Sequence, residues 1–173
     1  MKKNLVLLGM MGVGKSTLGK IVAKKQGFKF IDTDQKIEEK YSMPISEIFK
    51  KNGEDSFRQE EEKVVLESIK ETNSVIALGG GAFLKKKVRD KILKYLISIW
   101  LDTDLKVLNE RVNRNKKRPL IDKFNSQKSI NKLYFKRKNI YKMANYKIIC
   151  DGLSKKEIVE KIINYYEKQQ TKY

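Results

Sequence analysis

The sequence predicts an α/β fold, a parallel sheet covered by helices on both faces. Two observations carry that expectation. Short continuous apolar runs, of the length and composition of strands buried on both sides, alternate along the chain with segments of helical periodicity. Glycines punctuate the early boundaries, with Gly9, Gly12 and Gly14 after the first apolar run and Gly27 after the first helical segment. At 173 residues and 40% hydrophobic content, the chain has the material for one core and the length of one domain.

Leu5–Leu8 reads as the first strand. Lys15–Gln26 carries Leu18, Ile21, Val22 and Ala23 at helical spacing, and Gly27 stops it. Phe28–Ile31 is the second strand. Ile37, Tyr41, Ile45, Ile48 and Phe49 mark a helical region interrupted at Pro44, which begins a new first turn. Phe57–Lys70 is a strong helix with Val64, Val65, Leu66 and Ile69 apolar and its glutamates early, where the dipole favours them. Val75–Leu78, Leu96–Leu101 and Tyr146–Cys150 complete the strands, and Val88–Tyr95, Asp104–Arg114, Ser129–Lys142 and Ser154–Glu167 the helices. Between them Asn115–Gln127 has no clear period and is expected to be a loop or lid.

Composition removes whole classes of chemistry. There is no histidine, which excludes Ser-His-Asp catalysis, imidazole bases and histidine-ligated metals. The single cysteine, Cys150, excludes an intrachain disulfide and a thiolate zinc cluster. Lys2, Lys3 and the apolar run after them imitate a signal peptide, but Lys15 ends the imitation and no small-residue cleavage pattern follows. No apolar run approaches the roughly 20 residues needed to span a bilayer, so a soluble cytoplasmic protein without membrane contact is expected. The net charge of +18 suggests an anionic partner. However, only six of the 39 basic residues are arginine and the lysines are spread along the whole chain, without a basic arm or aromatic-interleaved cluster. Nucleic-acid binding is therefore not expected as the main function.

The strongest local signal is Gly9-Met10-Met11-Gly12-Val13-Gly14-Lys15-Ser16-Thr17, which fits G-x-x-x-x-G-K-[ST] between a strand and a helix. Such a loop turns its N–H groups inward as a nest for phosphate oxygens. Lys15 would reach the β- and γ-phosphates and the Ser16 hydroxyl would ligate Mg²⁺. Asp32-Thr33-Asp34 follows the second strand, at the carboxyl end of the sheet where ligands bind in such folds. One carboxylate can serve the magnesium and the other a substrate hydroxyl, although either would equally cap the helix that begins near Gln35. Gly79-Gly80-Gly81 follows the third strand, and three glycines together imply bare N–H groups, a close approach or a permissive connection. No acidic residue follows Leu78, where Ras-type enzymes place a magnesium-side aspartate, and this favours Asp32 for that role.

In a chain that prefers lysine, its arginines suggest a need for a planar, bidentate fork. Arg58 is one turn from Glu61 and Glu62, either of which could orient it. Arg118 lies in Lys117-Arg118-Pro119-Leu120 and could swing onto transferring phosphates, and Arg137 sits on the penultimate helix. Lys85-Lys86-Lys87 reads as solvated surface. The residues alone leave open a small-molecule kinase of gluconate or nucleoside-monophosphate type, or a basic binding module with a vestigial phosphate loop.

Taken in order and spacing, Gly12-Val13-Gly14-Lys15-Ser16-Thr17, Phe30-Ile31-Asp32-Thr33-Asp34, Phe57-Arg58-Gln59-Glu60-Glu61, Gly79-Gly80-Gly81, Arg118-Pro119-Leu120 and Arg137 resemble the shikimate kinase family over essentially the whole chain. That resemblance implies a three-layer P-loop fold with a five-stranded parallel sheet in the order 2-3-1-4-5. It further implies one domain over residues 1–173, an acceptor region at about 33–61, a mobile lid at about 112–127, and a monomer. The implied reaction moves the γ-phosphoryl of ATP to the 3-hydroxyl of shikimate, with Mg²⁺, on the route to chorismate and the aromatic amino acids. By the same resemblance Gly12 to Thr17 hold ATP, with Arg111 against adenine and Arg118 on the phosphates, while Ser16 and Asp32 hold magnesium. Arg58 and Arg137 clamp the shikimate carboxylate beside Gly79, Gly80 and Gly81, and Asp34 holds the ring hydroxyls and acts as base.

Overall fold

Leu5–Leu8 forms β1 at the centre of the sheet, with all its residues buried. The structure, a computed structural model, describes residues 3–114 and 126–171. After β1 come α1 (Lys15–Gln26), β2 (Lys29–Asp32), α2 (Thr33–Tyr41), α3 (Ile45–Ser68) and β3 (Ser74–Ala77). A 3₁₀ turn at Ala82–Leu84 leads into α4 (Lys86–Tyr95), β4 (Ile97–Asp102) and α5 (Leu105–Arg114). The chain closes with α6 (Ser126–Tyr141), β5 (Tyr146–Ile149) and α7 (Lys155–Gln170). The sheet is parallel throughout in the order β2-β3-β1-β4-β5, as the family resemblance implied.

Register brings the functional ends together. Leu7 lies opposite Ala77 of β3 and Ile99 of β4, so the loop after β1 emerges between the ends of its two neighbours. On the other side of β3, Asp32 pairs with Ala77, which sets the end of β2 beside the glycines that follow β3. The central strands are apolar and buried on both faces, which explains their continuous apolar runs. β4 carries two polar residues, Asp102 at its carboxyl end and Ser98 in its interior. The Ser98 N–H and hydroxyl both reach Asn145 Oδ1 at 2.8 Å, and its Oγ accepts from Asn145 N–H at 3.0 Å, so burial leaves it satisfied. No helix among the described residues is long and apolar enough to cross a membrane.

Element boundaries move by up to three residues from the sequence expectation, α6 beginning at Ser126 and so taking Ser126 and Gln127 from the expected loop, and α3 differs in kind. The sequence suggested separate helical stretches around Ile45–Phe49 and Phe57–Lys70. The structure runs Ile45–Ser68 as one element broken at Gly53, whose φ of 76° and ψ of 169° are not helical. That break shifts the phase of the apolar face, so Ile48 and Phe57 still meet Ile37 and Val64 in a small second core between α2 and α3. This satellite core carries one wall of the site described below.

Gly19 sits inside α1, where alanine normally stabilises a helix by about 1 kcal/mol. A Cβ there would fall 2.6 Å from Phe30 Cε2 and 3.4 Å from Leu7 Cδ1. Overpacking of that kind costs about 1–3 kcal/mol, so the sign should invert. Gly19→Ala should lower the denaturant midpoint; a raised midpoint would show that Phe30 yields freely.

Candidate active site

The loop after β1 is shaped by left-handed backbone. Gly9, Gly12 and Gly14 have φ of 141°, 80° and 102°, values that disfavour any Cβ. At Gly9 a Cβ would also strike the Leu101 carbonyl of β4. The variable positions of the motif anchor the loop, since Met10, Met11 and Val13 are buried. Lys15 opens α1 and curls over the loop, its Nζ donating to Gly9 O at 2.9 Å and Met10 O at 3.0 Å. Thr17 follows, exposed, in the first turn of α1. Arg111 lies across the loop on α5, exposed, with Nη1 donating to Gly12 O at 3.4 Å.

Asp32 performs two tasks at once, one per oxygen. As N-cap of α2, its Oδ1 accepts from the N–H groups of Asp34 and Gln35 at 3.0 and 3.3 Å. Its Oδ2 accepts from the Ser16 hydroxyl at 2.5 Å, across the sheet end from α1. The cap and the functional reading are therefore compatible. Thr33, fully buried, donates to Ala77 O at 3.3 Å and accepts from Gly79 N–H at 2.9 Å. It fastens β2 to the glycine segment, a role that sequence reasoning did not assign.

The glycines at 79, 80 and 81 provide room. None has positive φ. A Cβ on Gly79 would collide with Asp34 Oδ1 and lie 2.7 Å from Glu61 Oε1. One on Gly80 would lie 3.0 Å from Arg137 Nη1, and one on Gly81 would overlap the Arg58 guanidinium. Close approach by charged side chains is the reason for the triplet.

Of the two candidate partners for Arg58, the structure chooses Glu61, with Nη1 donating to Oε2 at 2.7 Å. Glu62 instead meets Lys87 at 3.3 Å. Glu54 adds a longer contact to Arg58, and the guanidinium lies over the rings of Phe49 and Phe57. Burial by itself would lower the Arg58 pKa, but the charges of Glu61 and Glu54 outweigh it and the net shift is upward. Arg137, 3% exposed on α6, is different: its Nε and Nη1 are buried with no hydrogen-bond partner among the described residues. Four residues on, Tyr141 donates to Gly80 O.

A cavity of about 420 Å³ joins these groups. Of the residues singled out in the sequence, Lys15, Ser16, Asp32, Asp34, Arg58, Gly80, Gly81 and Arg137 line it, whereas Gly79 does not. Gly12, Val13, Gly14 and Thr17 stand behind it in the loop and first turn. Arg118 and nearly all of the expected lid lie outside the described residues. Gln35, Glu38, Ile45 and Phe49 also line the cavity, inside the acceptor region expected at about 33–61 although none was named individually, and Met11 of the phosphate loop adds to the same wall. Their apolar members looked like ordinary helical core. Tyr141 was also missed, although its place one turn from Arg137 on the same helix face was a usable signal.

With no histidine in the chain, the alkaline limb carries the clearest titration. Burial pushes the Tyr141 hydroxyl from 10.0 up to about 12, partly offset by Arg137. The folded state therefore keeps a proton that the unfolded chain releases, and stability contributed below pH 10.0 is lost as pH rises towards about 12. The thermal midpoint should fall over that window, and Tyr141→Phe should flatten the fall. An unaltered slope in the variant would assign the alkaline transition to other groups.

The comparisons with known proteins agree with this geometry. A family model described as shikimate kinase matches residues 11–167. A shikimate kinase of Thermodesulfovibrio yellowstonii is 40% identical over 166 residues, covering 96% of this chain and 96% of its own length. Another, from Bartonella quintana, is 41% identical over 162 residues, 94% of this chain and 77% of its own. Among solved structures, the shikimate kinase from Acinetobacter baumannii in complex with shikimate matches with a TM-score of 0.93 at 31% identity, over 98% of this chain and 96% of that one. A gluconokinase from Sinorhizobium meliloti has a TM-score of 0.65 at 17% identity, a likeness of fold alone. With a family model matched over nearly its whole length and relatives of this kind, the chain belongs to the shikimate kinase family.

Proposed function

We propose that this protein transfers the γ-phosphoryl group of ATP to the 3-hydroxyl of shikimate. The observation that carries the proposal is Arg137: a buried guanidinium whose Nε and Nη1 have no hydrogen-bond partner among the described residues, lining a cavity that also takes in the phosphate loop. An unpaired buried cation is costly, and a carboxylate with its two oxygens is a fitting counter-ion for its planar fork. Arg58, held by Glu61, supplies a second guanidinium on the same cavity wall. Together they would clamp the acceptor carboxylate.

Asp34 lines the same cavity as Arg58, Arg137 and Lys15, and its role in this reading is to hold acceptor hydroxyls and take the proton from the one that attacks. Little base strength is needed, because phosphoryl transfer passes through a loose transition state. The protein's main work is to position the reactants and neutralise charge on the transferring oxygens. Lys15 and the N–H groups of the loop supply that charge, with Arg118 assigned to the same task. Arg111, whose Nη1 donates to Gly12 O, is assigned to the nucleotide base in this reading.

The residues also fit Mg²⁺. Ser16 Oγ and Asp32 Oδ2 already face each other at 2.5 Å, and Asp32 Oδ2 is not used by the helix cap. Two oxygen donors of this kind suit a hard cation that keeps several waters. When bound, the ion would neutralise charge on the β- and γ-phosphates.

The test is an ADP-release assay with Mg-ATP and, in parallel, shikimate, gluconate and a nucleoside monophosphate. Turnover confined to shikimate is expected; turnover only with another acceptor would overturn the carboxylate clamp. In the same assay Asp34→Asn should lose about 10²- to 10⁴-fold in kcat while still binding ATP. Near-normal turnover would remove Asp34 from the chemistry.

Asp32→Asn separates the two tasks of that side chain. Asparagine is a good N-cap, so stability should change by less than about 1 kcal/mol. The Mg²⁺ concentration needed for half-maximal rate should rise about 10- to 100-fold. If stability collapses while the magnesium requirement stays put, Asp32 is only a cap.

A further inference from the structure

Tyr141 touches both glycine segments of the site. It is 1% exposed at the end of α6, and its ring packs on Trp100 of β4 at 5.9 Å between centroids, which fixes where its hydroxyl points. That hydroxyl donates to Gly80 O, and Gly9 O lies 3.5 Å from it. Gly9 begins the phosphate loop, whereas Gly80 faces the acceptor cavity beside Arg137. The Arg137 guanidinium is close enough to the phenol oxygen to act on its ionisation.

A phenol has one proton, so it serves one carbonyl fully or two in part. Here Gly9 O already accepts from Lys15 Nζ at 2.9 Å. A lysine at this position of a phosphate loop engages the β- and γ-phosphates when nucleotide is present. Where that engagement draws Nζ away from Gly9 O, Tyr141 is a second donor within reach of that carbonyl. We infer that Tyr141 is a positioning residue that couples the two substrates, its hydroxyl being drawn between Gly9 O and Gly80 O when nucleotide recruits Lys15. Shared in this way, the hydroxyl ties the acceptor segment and Arg137 to the loaded phosphate loop. A second ligand then meets a segment already ordered and has less ordering to accomplish.

The inference rests on the phosphoryl-transfer reading above, and the experiment separates the two. Shikimate affinity is measured by calorimetry on wild type and Tyr141→Phe, each with and without saturating Mg-ADP. Wild type should bind shikimate about 3- to 10-fold more tightly when loaded, the amount a single shared hydrogen bond can supply. By linkage, shikimate should tighten ADP by the same factor. In Tyr141→Phe the ratio should fall below about twofold, because the shared hydroxyl has been removed. A variant that keeps the full ratio overturns the coupling role and leaves the reaction assignment standing. A wild type that binds ADP but no shikimate overturns the reaction assignment, and the coupling with it.

Should the variant fail to fold, the wild-type protein gives the second readout. Amide exchange over Gly79–Ala82 should slow when Mg-ADP binds alone, before any acceptor is present. Exchange there that ignores nucleotide would overturn the proposal.

Discussion

The site depends on one constraint: the segment from Gly79 to Gly81 must be bare enough for charged side chains to lie directly against it. Two guanidinium groups and two carboxylates converge on those three residues, and a single Cβ at any of them would displace one. The arrangement is selective because its charges are not all of one sign. Arg58 has Glu61 as a close partner, whereas the buried Arg137 has nitrogens with none among the described residues. In the proposed clamp one arm would be pre-set and the other would await a counter-ion, which would favour an anion of defined shape over phosphate in general.

Around that constraint the sheet order does the rest. With β1 between β3 and β4, and β2 outside β3, the loop after β1, the aspartates after β2 and the glycines after β3 all open on one side. Ligand chemistry at the carboxyl ends of parallel strands is the general rule for such sheets. This chain reinforces it with side-chain ties. Thr33 links the end of β2 to Gly79, and Asp32 links it to Ser16. At the far edge, Asp151 accepts from Thr103 and from Asp104 N–H, joining the ends of β4 and β5 where α5 begins.

The net charge of +18 has little to do with this arrangement. Lys29, Lys86 and Lys87 are 71%, 80% and 66% exposed and meet single carboxylates at the surface, contacts that contribute little. The cavity itself contains Asp32, Asp34, Glu38 and Glu61 alongside Lys15, Arg58 and Arg137. Placement, not excess charge, gives the site its character.

What the sequence determined by itself is whatever chemistry lies within one turn or one loop. The phosphate loop was legible because strand, glycines, Lys15 and Ser16 are contiguous, and local backbone demands fix their types. The position of Asp32 and Asp34 at a strand end was legible for the same reason. Tertiary structure alone decided the long-range choices. It selected Glu61 over Glu62 for Arg58, since helix spacing makes both neighbours and only the facing element distinguishes them. It gave the glycine triplet its reason, through side chains from three separate helices. It also brought Tyr141 onto Gly80, 61 residues away in the chain. Periodicity tells which face of an element is buried, but not which carbonyl lies across from it; that is settled only when the strands take their order.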